Sequence, residues 1–267
     1  MDIYMRNLKK NINQSSMSNN FNLNKEIRNL LLNKQYYVKH NRAKKIQYEK
    51  NYHGIVKDPD GVLRDLTKER ELKLAQMRYI ISYFKKLKGG KILDVGCGHG
   101  WMLSELSNKW SKHGIEISKF ASKTASRYCK LHIGKLEKYK EKDFDVISAL
   151  HIIEHVKNPK IFIKLIKSKL KSKGLLILET PDFDSAAARK FGNNFRLLKD
   201  KTHVSLFSQD SLVRFVRDYG FKIIDMNFPY FETPYFNKKN LLRMLDDKKK
   251  ISPPFYGSTI TLFLQKQ

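Results

Sequence analysis

The stretch KILDVGCGHGW, residues 91–101, constrains the fold more than any other part of the chain. KILDV is a short apolar run with the length of a buried strand. Gly96, Gly98 and Gly100 follow at alternate positions, and WMLSELSNKW then places Leu103, Leu106 and Trp110 on one helical face. A strand that runs through glycines into a helix brings backbone close to a ligand at the carboxyl edge of a sheet. The rest of the chain repeats that alternation. HGIEI (113–117), LHI (131–133), FDVISAL (144–150), LLILE (175–179), KIIDMNF (222–228) and TITLFLQ (259–265) read as strands. Between them lie helical stretches. One is capped by Ser118, one starts at Asn158-Pro159 and runs to Gly174, and one ends at Gly220. Strand–helix alternation predicts an α/β, Rossmann-like doubly wound sheet with helices on both faces.

Ahead of the glycines, Leu74, Met77, Ile80, Ile81, Phe84 and Leu87 recur at steps of three and four, which predicts one helix closed by Gly89-Gly90. Residues 1–24 are polar and aperiodic and read as a disordered tail. Residues 25–50 read as a basic helical extension and 51–65 as a loop, leaving 66–267 as the main domain. Within that domain, residues 229–257 form an aromatic-rich excursion too long for a turn, the usual form of a substrate-side insertion.

The ligand can be narrowed. Position 101 is Trp101, so the third glycine of the dinucleotide fingerprint is missing, and the loop suits a ligand without a pyrophosphate. Asp94 stands two residues before Gly96. Glu116 ends the next strand, where a carboxylate can take paired ribose hydroxyls. With these residues in place, the chain resembles the class I S-adenosylmethionine-dependent methyltransferases. ILDVGCGHG matches their first motif, GIEIS their ribose-binding acid, FDVISALHIIEHVKNP their fourth-strand motif and LKSKGLLILETPD the passage into the fifth strand. The resemblance runs from about residue 66 to the C-terminus, closest to the branch associated with bacterial surface polysaccharides and nucleotide sugars. It implies a seven-stranded sheet with one antiparallel strand and S-adenosyl-L-methionine as cofactor. The cofactor-binding residues it implies are Asp94, Gly96, Cys97, Gly98, Gly100, Trp101, Glu116, Ile117, Lys135, Leu136 and Leu150.

Two other motifs point elsewhere. His151-x-x-Glu154-His155 matches an inverted zinc-peptidase signature, but a strand precedes it and Asn158-Pro159 starts a new helix, where a peptidase needs one long active-site helix. Related quinone O-methyltransferases carry an acid-x-x-Glu-His segment here that can hold a divalent ion; His151 replaces the first acid, and no metal is expected. SPPFY (252–256) resembles an amine-gripping motif but lies near the last strand instead of after the fourth. For a hydroxyl acceptor, His151 and His203 are the candidate general bases. Tyr230, Tyr235, Phe236 and Tyr256 are the candidate substrate contacts.

The net charge of +27 attracts anionic partners. Its lysines are spread evenly, so the expected partner is a small, anionic acceptor and not nucleic acid. No apolar run reaches the length of a membrane span, no secretory leader is evident, and Cys97 and Cys129 do not form a CxxC. A cytoplasmic protein with reduced thiols is expected. The function expected is O-methylation of a sugar, nucleotide sugar or related metabolite, with RNA methylation or a non-catalytic binding module as alternatives.

Overall fold

In a computed structural model that describes residues 21–40, 50–231, 233–254 and 257–267, the apolar run before the glycines becomes an interior strand of the main sheet. The strands are β1 (Gly90–Val95), β2 (Trp110–Glu116), β3 (Lys130–Ile133), β4 (Phe144–Leu150), β5 (Leu170–Pro181), β6 (Phe221–Asn227) and β7 (Thr259–Lys266). Their spatial order is β6-β7-β5-β4-β1-β2-β3. The strands from β1 to β5 pair in parallel, and β7 runs antiparallel to both β5 and β6. This is the expected seven-stranded sheet with one antiparallel strand. The chain leaves β1 toward β2 and β3, then crosses back to place β4 on the other side of β1. The switch point therefore lies between the carboxyl ends of β1 and β4, where such sheets bind ligands.

The helices used below are α1 (Leu23–Leu32), α2 (Arg70–Gln76), α3 (Arg78–Lys86), α4 (Trp101–Ser104), α5 (Lys119–Ala125), α6 (Pro159–Lys169), α7 (Ala186–Phe191) and α8 (Gln209–Asp218). Successive strand residues face opposite sides, so Ile92 and Leu93 enter different cores. Leu93 packs with Ile163 and Ile166 of α6 and Phe215 of α8. Ile92 packs with Ile80 and Phe84 of α3 and with Trp110.

Several local expectations are corrected. The stretch after the glycines makes one helical turn, α4, and Trp110 instead opens β2, buried edge-on against Phe84 at 5.7 Å. The helix expected to reach Gly174 stops at Lys169. Residues 171–174 form a bulge on β5, where the pairing steps from Phe144–Leu170 to Val146–Leu175 and Lys173 adopts φ 56°. The helix before the glycines breaks at Met77 into α2 and α3. The loop expected over 51–65 contains an antiparallel hairpin, Ile55–Lys57 with Leu63–Asp65.

The N-terminal segment is more integrated than a tail. Asn22 caps α1 by accepting from the Lys25 backbone N–H. Leu23, Ile27 and Leu30 are buried with Phe183, Ala187, Ala188 and Phe195, at about 1.5–3 kcal/mol for each large side chain. Val38–Lys39 then pairs with Ser205–Leu206. Residues 1–20 of the expected tail and 41–49 of the expected basic helix lie outside the described residues.

Candidate active site

A cavity of about 960 Å³ opens at the switch point. One wall is the glycine loop. The hairpin, α2 and residues 199–202 supply others. Gly96 has φ 74°, and an added Cβ would strike the Ile152 side chain. Gly98 has φ 54° and nothing within 4 Å of where its Cβ would be. The loop thus presents bare backbone to open space. At its base Asp94 is 5% exposed and accepts a hydrogen bond from Ser148 Oγ at 2.7 Å. Burial pushes the Asp94 carboxyl up to about 7; the Ser148 bond opposes this and the Glu116 charge adds to it.

Glu116 is tied into the loop. Its carboxylate accepts from the backbone N–H groups of Gly98 (2.8 Å), Ile117 (2.7 Å) and Ser118 (2.8 Å). His53 Nε2 stands 4.0 Å from the same carboxylate. The rings of His99 and Trp101 stack at 4.7 Å, with His53 edge-on to His99 at 5.8 Å. The turn Lys50–His53 therefore closes the glycine loop from the N-terminal side.

Beside the loop, His151 follows β4 with φ 55°. Its backbone N–H bonds to the Glu179 carbonyl at 2.9 Å. Its ring lies between two carboxylates: Nδ1 is 3.2 Å from Glu154 and Nε2 is 3.1 Å from Glu179. Burial lowers the His151 pKa, but the bonds to Glu154 and Glu179 outweigh it, and the imidazole is pushed up to about 10. Glu154 is fully buried and also accepts from Thr180 Oγ1 at 2.9 Å. Its burial raises its pKa, yet His151 and His155 hold it down at about 2. Glu179 lies near the carboxyl end of β5 and accepts from Tyr79 and from Thr261 at 2.5 Å.

The expected site residues divide accordingly. Asp94, Gly96, Cys97, Gly98, Trp101, Leu150 and His151 line the cavity. Gly100, Glu116, Ile117, Lys135 and Leu136 are not among its described lining; Gly100 and Glu116 shape it from behind. His203 is also absent from the wall. It is 5% exposed, its Nδ1 is 2.6 Å from the Leu197 carbonyl, and its ring packs on His155. The aromatic excursion behaves differently from expectation. Tyr230 and Phe236 pack on each other at 5.2 Å outside the described lining; Tyr230 is buried there, while Phe236 stays exposed. Tyr235 accepts from Gln76 on α2 at 2.6 Å. Tyr256 lies outside the described residues.

Residues 66–226 match a family model described as a methyltransferase domain. The chain belongs to this methyltransferase family. The match spans the glycine loop, β1 through β6 and His151, and the family's cofactor is S-adenosyl-L-methionine. Among curated relatives, the ubiquinone biosynthesis O-methyltransferase of Pelagibacter ubique is 32% identical over 140 residues, covering 46% of this chain and 58% of its own. The protein of the same name from Idiomarina loihiensis is 28% identical over 134 residues, covering 46% and 54%. The chain thus spans just over half the length of the curated relatives it matches. A putative S-adenosylmethionine-dependent methyltransferase from Listeria monocytogenes shares the fold at TM-score 0.54 and 16% identity, over 74% of this chain and 99% of that one. Among the described residues, no helix is long and apolar enough to cross a membrane.

The residues of this methyltransferase fit its cofactor. The open space at Gly98 accepts a ligand against backbone, the Asp94 and Glu179 carboxylates suit a sulfonium cation, and the His99–Trp101 pair offers a flat wall. A second group could hold a divalent metal: Glu154, His155 and His203 each bring a ligand atom within 4.8 Å of the others. The sequence reading missed Glu179, His53 and Lys73. The signal for Glu179 was its place at the end of LLILE, the carboxyl edge of a central strand. His53 and Lys73 come from segments whose approach to the loop is long-range.

Proposed function

We propose that this protein transfers the methyl group of S-adenosylmethionine to a hydroxyl oxygen of a small acceptor. The observation that carries the reading is the cavity at the switch point, where the glycine loop, Asp94, His151 and Glu179 converge. The names of the curated relatives favour oxygen as the acceptor atom. Methyl transfer from a sulfonium is an in-line displacement, so the protein's main contribution is alignment and exclusion of water. The hairpin serves the second purpose. Asp58 and Asp60 bind Arg196 at 2.8 and 3.1 Å, which latches the hairpin over the cavity.

Histidine base catalysis is disfavoured by this geometry. His203 is off the wall, and His151 already carries a proton shared with two carboxylates. We assign His151 to holding Glu179 and Glu154 in place, so that transfer rests on alignment of the acceptor oxygen with the methyl group. Two acceptor classes compete: a sugar or nucleotide sugar, which the sequence reading favours, and an acceptor of ubiquinone biosynthesis, which the relatives' names favour. Methyl-labelled cofactor incubated with hydroxylated aromatic acids, nucleotide sugars, phosphorylated metabolites and total RNA in parallel tests the reading. Label in an ether product supports it. Label confined to RNA, or cofactor binding without transfer to any class, refutes it.

A further inference from the structure

Lys73 and Gln76 share one face of α2 and line the cavity with Met77, the residue that ends the helix. The face is fixed in place, since Gln76 is held by Tyr235 and the Lys73 backbone N–H bonds to the Glu69 carbonyl at 2.9 Å. Among the described residues, the Lys73 ammonium makes no hydrogen bond and no ion pair. Its charged neighbours are Arg64, Glu69, Asp58 and Glu179. Each of the three acids is already engaged elsewhere. Glu69 takes Arg64 through a two-pronged contact, 2.8 Å at Nε and 2.5 Å at Nη2. Asp58 takes Arg196 at 2.8 Å and Arg64 at 3.3 Å. Glu179 takes His151 at 3.1 Å, Thr261 and Tyr79. Lys73 is half-buried and faces the cavity, so its ammonium is left for a ligand to complete. Burial, and then Arg64, push the Lys73 pKa down, as that arrangement requires.

We propose that Lys73 is the specificity-determining residue of the cavity, binding a carboxylate or phosphate oxygen of the acceptor. The inference rests on the methyltransferase reading of the same cavity and narrows its acceptor to oxyanion-bearing molecules. Arg64 is unsuited to the task because Glu69 and Asp58 already occupy its guanidinium, and Lys57 and Lys201 lie exposed on the cavity rim. Lys199 is the other half-buried lysine of the wall, and an anion preference that survives Lys73→Met would point to it.

The test is calorimetry on the full chain, first with S-adenosylhomocysteine alone and then, with that site saturated, with two matched probe pairs. One pair is 3,4-dihydroxybenzoate and its amide; the other is glucose 1-phosphate and glucose. The anion of at least one pair should bind about ten- to a hundredfold tighter than its neutral partner, the scale of a charged hydrogen bond. The pair that shows the preference identifies carboxylate or phosphate. Lys73→Met should abolish the preference, Lys73→Arg should keep most of it, and Lys73→Met should melt no lower than wild type. Equal or absent binding of both members in both pairs overturns the inference, as does a preference that survives Lys73→Met. A lower melting temperature with lost cofactor affinity in Lys73→Met also overturns it, since Lys73 would then be structural. Failure of wild type to bind S-adenosylhomocysteine removes the methyltransferase reading itself. Cofactor binding without an anion preference removes the Lys73 inference alone.

Discussion

Replacing Glu154 by Gln should weaken the hold of His151 on its proton. In the wild type each His151 nitrogen faces a carboxylate, at 3.2 and 3.1 Å, and the ring's pKa rises from 6.5 to about 10. Such a shift corresponds to about 4–5 kcal/mol. The His151 side chain is 37% exposed to the cavity, so solvent screening leaves about 1–2 kcal/mol. The raised histidine pKa contributes stability in full below 6.5, and the contribution is lost as pH rises through about 10. Glu154, held at about 2 against an ordinary 4.5, contributes above 4.5 and loses this as pH falls through about 2. Gln keeps the size of the side chain and the contact with Thr180 but removes the charge. His151 should then titrate at least about one unit lower. Stability near neutral pH should fall by about 1–2 kcal/mol, and the loss should shrink as pH approaches 10. Ring-resolved NMR titration and urea unfolding, each as a function of pH, read the two effects. A wild-type His151 midpoint near 6.5, or an equal stability loss at neutral and alkaline pH, refutes the argument.

Glu116→Ala removes the acceptor of three loop N–H groups, so S-adenosylhomocysteine affinity measured by calorimetry should fall about ten- to a hundredfold; unchanged affinity contradicts the role of the loop. Arg196→Met leaves Asp58 and Asp60 without their shared cation. It should cost about 1–3 kcal/mol and speed proteolytic cutting within residues 55–65, while cutting as slow as wild type would show that the hairpin needs no latch. His203→Ala should leave cofactor affinity unchanged and lower turnover less than about tenfold; a loss of about 10²–10⁴-fold would restore His203 as a base.

Much of the frame was legible in the sequence because it rests on local chemistry. FDVISAL becomes β4 from Phe144 to Leu150, Asn158 caps α6 ahead of Pro159, and the glycine loop lies between β1 and α4 as its spacing demanded. Those features need a run of apolar residues, a capping oxygen or a positive φ, and each is set within a few residues. Lengths were less secure. Trp110 fits a helical face equally well, but the buried edge beside Phe84 draws it into β2. Lys171–Lys173 look helical until β5 has to pair with β4.

The site depended still more on what the tertiary structure decided. No local signal places His53 beside Glu116, Arg196 beside Asp58, or Lys73 in a cavity whose acids are already paired. The histidines show the same limit. His151 and His203 are equivalent candidates as residue types, yet one receives two carboxylates from separate elements and the other is packed behind the wall. The sequence determined which groups were present and which strand ends would carry them. Protonation, pairing and access followed from contacts between segments far apart along the chain, because charge interactions depend on distance and burial in the folded molecule.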